Sequence, residues 1–175
     1  MHILLDLDGV VADFNSAALR AHGAEHLIGN QPEGVWEITD VLGISKSNFW
    51  WPIDTAEFWE NLQPYPWARE LVDCVKSFGE FTVATSPGRS PEGHAGKVRW
   101  MRRFFGNSFK DYMIGKQKWL MAAPGNVLID DSDDNVNKFA EHNGTAILFP
   151  QRWNSLSHVK TDKVDYIRQA LSEVE

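Results

Sequence analysis

The chain is poor in cysteine, poor in positive charge and free of long apolar runs. A single cysteine, Cys74, among 175 residues cannot form an internal disulfide framework, and it suits a reducing, cytoplasmic setting. Cys74 shares helical spacing with Leu71, Val75 and Phe78, which reads as core rather than nucleophile. With 17 Lys and Arg against 24 Asp and Glu, the net charge of −7 argues against a non-specific grip on long nucleic acid. It leaves room for one small phosphate ester held by local cations and a metal. No segment approaches the ~20 apolar residues that span a bilayer, so no membrane partner is expected. A secretory leader is not expected either, because Asp6 and Asp8 interrupt the first apolar run. No internal repeat and no low-complexity tract is evident.

What is present alternates. Four short apolar segments read as parallel strands: Ile3–Leu7, Phe81–Thr85, Val127–Ile129 and Thr145–Phe149, with Tyr112–Ile114 as a weaker fifth. Helical patterns lie between them, at Pro66–Phe78, Pro91–Phe105, Val136–His142 and Asp162–Val174. Ser90 and Pro91 suit the N-cap and first position of the second helix, and Gly106 its end. Strand and helix in alternation imply an α/β fold: a Rossmann-like parallel sheet flanked by helices. Such sheets bind ligands beyond the carboxyl ends of their strands. The stretch 15–63 breaks the alternation and is punctuated by Gly29, Pro32, Gly34, Gly43 and Pro52. It is expected to be a small helical insertion, with 1–14 and 64–175 forming the core.

The chemistry is concentrated at strand ends. Asp6 stands inside the apolar run Leu4-Leu5-x-Leu7, and an unpaired buried carboxylate costs several kcal/mol unless it finds a metal, a cation or a proton. Asp8 follows two positions later, which on a strand puts both side chains on one side. An ordinary Asp-Gly turn explains Asp8-Gly9 but not Asp6. The second strand ends in Thr85-Ser86, and the third in Asp130-Asp131-Ser132-Asp133-Asp134. Asp133 and Asp134 suit the first turn of a helix, where its dipole favours negative charge. Asp130, directly after Val-Leu-Ile, is less well explained that way. Together Asp6, Asp8, Asp130 and Asp131 would form a hard, oxygen-rich pocket of the kind Mg²⁺ prefers. Without a cation they would repel one another. Lys116 and Lys118, in the segment leading to the third strand, could complete the balance around a phosphate. The fourth strand ends in nothing comparable.

The pattern Asp6-x-Asp8-Gly9-Val10-x-x-Asp13-Phe14, then Thr85-Ser86-Pro87, a lysine, and Ile129-Asp130-Asp131 resembles the haloacid dehalogenase-like phosphatases. Within them the chain is most similar to the 5'(3')-deoxyribonucleotidases. Phe58-Trp59-x-x-Leu62-x-Pro64 and Lys97-x-x-Trp100-x-x-x-Phe104-Phe105-Gly106 extend that similarity over nearly the whole length. The resemblance implies a Mg²⁺-dependent phosphohydrolase acting on (deoxy)ribonucleoside monophosphates. Asp6 would be the nucleophile, and Asp8 the acid and then the base. Asp6, the Asp8 backbone carbonyl and Asp131 would hold Mg²⁺, with Asp130 acting through water or from behind the ligands. Thr85, Ser86 and Lys118 would bind phosphate oxygens. Lys116 falls where these enzymes usually carry Arg, which replaces a bidentate fork with a point charge. Phe14 and Trp59, and less closely Trp36, match positions near the base pocket.

Five of the eight Trp lie in or beside the insertion: Trp36, Trp50, Trp51, Trp59 and Trp67. Its acids outnumber Arg20 and Lys46, so it suits a lid over one mononucleotide better than a groove for DNA. Most of these rings could equally be the core of a small helical cap. The basic run Lys97, Arg99, Arg102 and Arg103 reads most simply as a solvated helix face, although Lys97 could reach a substrate phosphate. His22-Gly23-Ala24-Glu25-His26 matches a zinc-protease spacing, but Gly23 weakens the helix it needs and no third ligand is evident. A polynucleotide 3'-phosphatase, a small-metabolite phosphatase and a non-catalytic nucleotide-binding module are the alternatives. The intact Asp6 and Asp8 pair speaks against the last. The oligomeric state, a homodimer included, stays open at this point.

Overall fold

A computed structural model of the chain describes residues 1–174. Its centre is strand β1 (His2–Leu5), whose Ile3, Leu4 and Leu5 are buried because both faces of the sheet are covered. β1 lies between β2 (Glu80–Thr85) and β4 (Asn126–Asp130); β3 (Tyr112–Ile114) and β5 (Thr145–Leu148) form the edges. The order is β3-β2-β1-β4-β5 and every pairing is parallel. Leu5 stands level with Val83 on one side and Ile129 on the other. The residues that follow these three strands therefore emerge together at the carboxyl end of the sheet, where the chain order switches direction.

Helices cover both faces. α5 (Ala68–Phe78) and α8 (Lys163–Val174) turn Leu71, Val72 and Val75, and Val164, Ile167 and Leu171, into the main core, where Cys74 also lies. α6 (Pro91–Phe105) starts at its Ser90 cap, whose Oγ accepts from the Gly93 N–H at 3.4 Å. α7 (Asp133–Glu141) starts three residues earlier than the apolar pattern suggests. Ser132 caps it by accepting from the Asn135 N–H at 3.3 Å, and Asp133 and Asp134 sit in its first turn.

Between β1 and α5 lie α1 (Phe14–Ala21), α2 (Ile38–Leu42), α3 (Lys46–Trp50) and α4 (Ala56–Glu60), with a 3₁₀ turn at Glu25–Leu27. Ala18, Phe49 and Ile53 form a separate small core there, with Phe14, Ile38, Leu42, Trp50 and Phe58 packed on it. The chain leaves and re-enters the body side by side. The Asp13 N–H donates to the Gln63 carbonyl at 2.8 Å, and the Tyr65 N–H to the Val11 carbonyl at 2.9 Å. α4 packs closely on α6 because of Gly96, where a Cβ would overlap the Ala56 carbonyl oxygen. No helix among the described residues is long and apolar enough to cross a membrane.

Candidate active site

β1 ends at Leu5, one residue short of the first carboxylate, so strand alternation does not govern Asp6 and Asp8. Their side chains diverge instead. Asp6 keeps its backbone on the sheet through an N–H bond to the Ile129 carbonyl at 2.9 Å. Its Oδ1 accepts from the Leu7 N–H at 2.8 Å and pairs with Lys118 Nζ at 2.7 Å, which leaves Oδ2 without a donor among the described residues. Asp130, at the end of β4, is fully buried. Its carboxylate takes Lys118 Nζ at 2.6 Å, the Ser132 N–H at 2.9 Å and the Asn135 amide at 3.1 Å. Asp131 Oδ2 accepts the Trp153 indole N–H at 2.8 Å.

One oxygen from each of Asp6, Asp130 and Asp131 lies within 4.8 Å of the others, and all three residues are buried. Burial, and then the charge of Asp130, raise the Asp6 pKa to about 7. Burial, and then Asp6 and Asp130, push Asp131 well above the usual carboxylate range. Burial alone would lower the Lys118 pKa, but the charges of Asp130 and Asp6 outweigh it and hold this lysine above its ordinary value. Three carboxylates around one ammonium leave an excess of negative charge, and the donor set is all oxygen. These residues fit a divalent cation. Gly9, with φ of 78°, makes the room: a Cβ there would overlap Asp131 Oδ2.

Asp8 faces the other way. Its Oδ2 is paired with Lys97 Nζ, while its buried Oδ1 has no hydrogen-bond partner among the described residues. Lys97 also donates to Thr85 Oγ1 at 3.0 Å and to the Ser86 carbonyl at 2.7 Å. The solvated-face reading of the basic run therefore holds for Arg99, Arg102 and Arg103 but not for Lys97, which is 1% exposed. A helix presents several faces, and this position of α6 points at the carboxyl end of the sheet rather than at water. The expected four-carboxylate pocket becomes a three-carboxylate cluster with a neighbouring Asp8–Lys97 pair. Of the two candidate lysines, Lys118 is the one beside Asp6, while Lys116 is exposed at the cavity rim.

Above these groups opens a cavity of about 480 Å³, with Asp6, Asp8, Asp130 and Asp131 on its floor. Its walls include Phe14, Trp36, Trp50 and Trp59, together with Asn15, Lys46 and Ser86. Phe14 and Trp59 stack with centroids 5.1 Å apart and planes 9° from parallel. Lys97 Nζ lies 4.4 Å from the Trp59 ring centroid. Trp36 is 47% exposed and Trp51 86%, so the tryptophans divide between cavity wall, small core and open surface. His22 sits apart, stacked on Phe49 at 5.2 Å and hydrogen-bonded to its carbonyl, and is not part of the acidic cluster.

β5 does contribute, contrary to the expectation from its apolar end. The loop after β5 supplies Trp153 to Asp131, the Asn154 amide to the Asp131 carbonyl at 2.9 Å, and the Gln151 amide to the Gly9 carbonyl. Only their position past a parallel strand's carboxyl end could have marked them, because a Trp, Asn or Gln in a loop does not by itself point to a neighbouring carboxylate.

The fold is that of the haloacid dehalogenase-like hydrolases. It is similar to a hydrolase of that family from Deinococcus radiodurans, solved with phosphate and sodium, at 15% identity over 99% of this chain and 95% of the other, with a TM-score of 0.62. A magnesium-bound hydrolase of that family from Bacillus subtilis aligns at 14% identity over 97% of both chains, with a TM-score of 0.59. A hydrolase from Pseudomonas syringae aligns over the whole of both chains at 16% identity and a TM-score of 0.57. No curated protein sequence matches the chain. Residues 1–170 match the family described as 5' nucleotidase, deoxy (pyrimidine), cytosolic type C, and the chain belongs to that family. It is a phosphoric monoester hydrolase of the 5'-nucleotidase type.

Proposed function

We propose that the protein is a cytoplasmic, Mg²⁺-dependent nucleotidase that removes phosphate from (deoxy)ribonucleoside monophosphates through an aspartyl-phosphate. The observation that carries this reading is the convergence of Asp6, Asp130, Asp131 and Lys118 beneath an aromatic-walled cavity. Asp6 and Asp131, with the Asp8 carbonyl, would hold Mg²⁺, and Asp130, already bound by three donors, would support from behind. When bound, the cation supplies positive charge that neutralises phosphate oxygens.

Asp6 Oδ2, the oxygen without a donor among the described residues, attacks phosphorus as the bond to the nucleoside oxygen breaks. Asp8 delivers a proton to that leaving oxygen. Asp8 then takes a proton from water, the water oxygen attacks phosphorus, and the Asp6–phosphorus bond breaks to release phosphate. Lys118, Lys116, Thr85 and Ser86 bind the phosphoryl oxygens. Lys97 holds the Asp8 carboxylate in place and reaches the same oxygens. Segment 15–63 acts as a cap whose aromatic wall, with Phe14, Trp59 and the half-exposed Trp36, receives the base. At ~1–3 kcal/mol per stacked base, one ring system is enough to favour a nucleotide over a simple phosphate ester.

The test is phosphate release with Mg²⁺ from deoxynucleotides, ribonucleotides, a 3'-phosphorylated oligonucleotide and an aryl phosphate. Mononucleotides are expected to be the best substrates, and Asp6→Asn is expected to be inactive. Equal rates for wild type and Asp6→Asn would overturn the catalytic reading. A preference for the oligonucleotide would overturn the cap's role.

A further inference from the structure

The loop that follows β5 touches the acidic cluster on one side and the proposed cap on the other. Facing the cluster, the Trp153 indole N–H donates to Asp131 Oδ2 at 2.8 Å, and Asn154 Nδ2 donates to the Asp131 carbonyl at 2.9 Å. The Trp153 ring also borders Gly9, where a Cβ would come within 3.2 Å of ring atom Cζ2. Facing the cap, Arg152 Nε donates to the Gln31 carbonyl, and its guanidinium pairs with Glu33 at 3.2 Å. The Arg152 carbonyl in turn accepts the Gly34 N–H at 2.9 Å. Gln31 is buried and donates to Asn15 Oδ1 at 2.6 Å, and Asn15 lines the cavity.

Adjacent residues thus carry the two grips, and the loop has little freedom to move one without the other. Asn154 Oδ1 accepts from the Gln151 N–H at 3.2 Å and the Leu156 N–H at 3.1 Å, while its Nδ2 also holds the Phe149 carbonyl at 2.8 Å. A carboxylate with one oxygen pinned by an N–H can rotate little, so it offers a cation a set direction. We infer that Trp153 is a positioning residue for the Asp131 carboxylate, and that its loop couples cation binding to the seating of residues 31–34 beside the cavity-lining Asn15. The inference rests on reading Asp6, Asp130 and Asp131 as a cation site. Coupling of this kind is reciprocal: what the cation does for the cap contact, the cap contact does for the cation.

The experiment uses the full chain and Mg²⁺ alone, with no nucleotide. Calorimetric titration gives the Mg²⁺ dissociation constant, and NMR hydrogen exchange follows the Gly34 amide with and without the cation. Trp153→Phe keeps an aromatic ring but loses the N–H, and is expected to weaken Mg²⁺ by about tenfold. Trp153→His restores a ring N–H and should regain part of that loss. Arg152→Met is expected to weaken Mg²⁺ by about fivefold although it touches no carboxylate of the cluster. In wild type, Mg²⁺ should slow exchange at Gly34, and both Trp153→Phe and Arg152→Met should abolish that change. Wild-type Mg²⁺ affinity in Trp153→Phe, or Gly34 exchange indifferent to Mg²⁺ in wild type, overturns the inference alone. Absence of Mg²⁺ binding by wild type overturns it together with the cation reading.

Discussion

At the carboxyl end of the sheet each charged group has a fixed partner: Lys118 bridges Asp6 and Asp130, Asn135 and Ser132 hold Asp130, and Trp153 holds Asp131. In segment 15–63, with Phe14 at its start, the picture is the reverse. Helices of five to eight residues surround a core of three buried side chains, and the ion pair at the cavity rim, Lys46–Glu37 at 3.3 Å, is exposed to water. The first region concentrates charge where water is excluded, so each substitution there meets a large electrostatic penalty. The second consists of apolar stacking and exposed pairs worth a fraction of a kcal/mol each. Reaction chemistry should therefore be brittle at the floor, and substrate choice adjustable at the walls.

The sharpest test of that contrast is Asp6→Asn. Loss of the proposed nucleophile should reduce phosphate release by roughly 10⁴-fold or more. With one fewer buried acid to repel its neighbours, the cation-free melting temperature should hold or rise. A variant that unfolds instead would show that Asp6 is needed for the fold, and the two regions would then differ less than the geometry implies.

Next in size is Lys118→Met, which leaves Asp6 and Asp130 without their shared cation. Removing one partner of a buried pair costs about 3–5 kcal/mol, measurable by urea unfolding. A loss below about 1 kcal/mol would mean that the cluster tolerates its own charge.

Two tryptophans then divide the wall. Trp59 is 3% exposed and touches both Phe14 and Lys97, so Trp59→Ala should destabilise by about 3–5 kcal/mol. Trp36 is half-exposed, so Trp36→Ala should change stability by about 0.5 kcal/mol or less and act on the nucleotide KM instead. Equal stability losses would erase the distinction between the structural and the substrate-facing ring.

The smallest effect is a pH dependence. The Asp6 pKa is raised from 3.8 to about 7, first by burial and then by Asp130. The stability tied to its proton is complete below the unfolded value of 3.8 and is lost as pH rises through about 7. Asp131, raised for the same reasons, adds in the same direction. A cation favours the charged forms. The gain in melting temperature from Mg²⁺ should thus be larger at about pH 8 than at about pH 5.5, by scanning calorimetry. An equal gain at both would place the cation away from these carboxylates.

Much of this was legible in the chain, unevenly. The five strands appear as apolar runs, and the third, Tyr112–Ile114, matches its segment residue for residue. α6 runs from Pro91 to Phe105 as its cap and stop signals imply. Asp6 betrayed itself because an acid inside Leu4-Leu5-x-Leu7 has no innocent explanation. Less legible are the partners: the sequence makes Lys97 a candidate for a substrate phosphate but not for Asp8, and it does not single out Trp153. Lys97 looks like one of four basic residues on a helix, and it reaches Asp8 only across 89 positions of chain. Trp153 lies 22 positions from the carboxylate that it holds.

The amino-acid sequence by itself determined the alternating architecture, the placement of acids at strand ends and the chemistry those acids permit. Hydrophobic period, cap residues and the cost of buried charge are local properties, readable a few residues at a time. Tertiary structure alone decided that Asp8 turns from the cluster to Lys97, that Lys118 rather than Lys116 lies beside Asp6, and that one loop after β5 joins Asp131 to residues 31–34. Those outcomes depend on which side chains meet once the parallel strands are in register, and a register is made between segments distant in the chain.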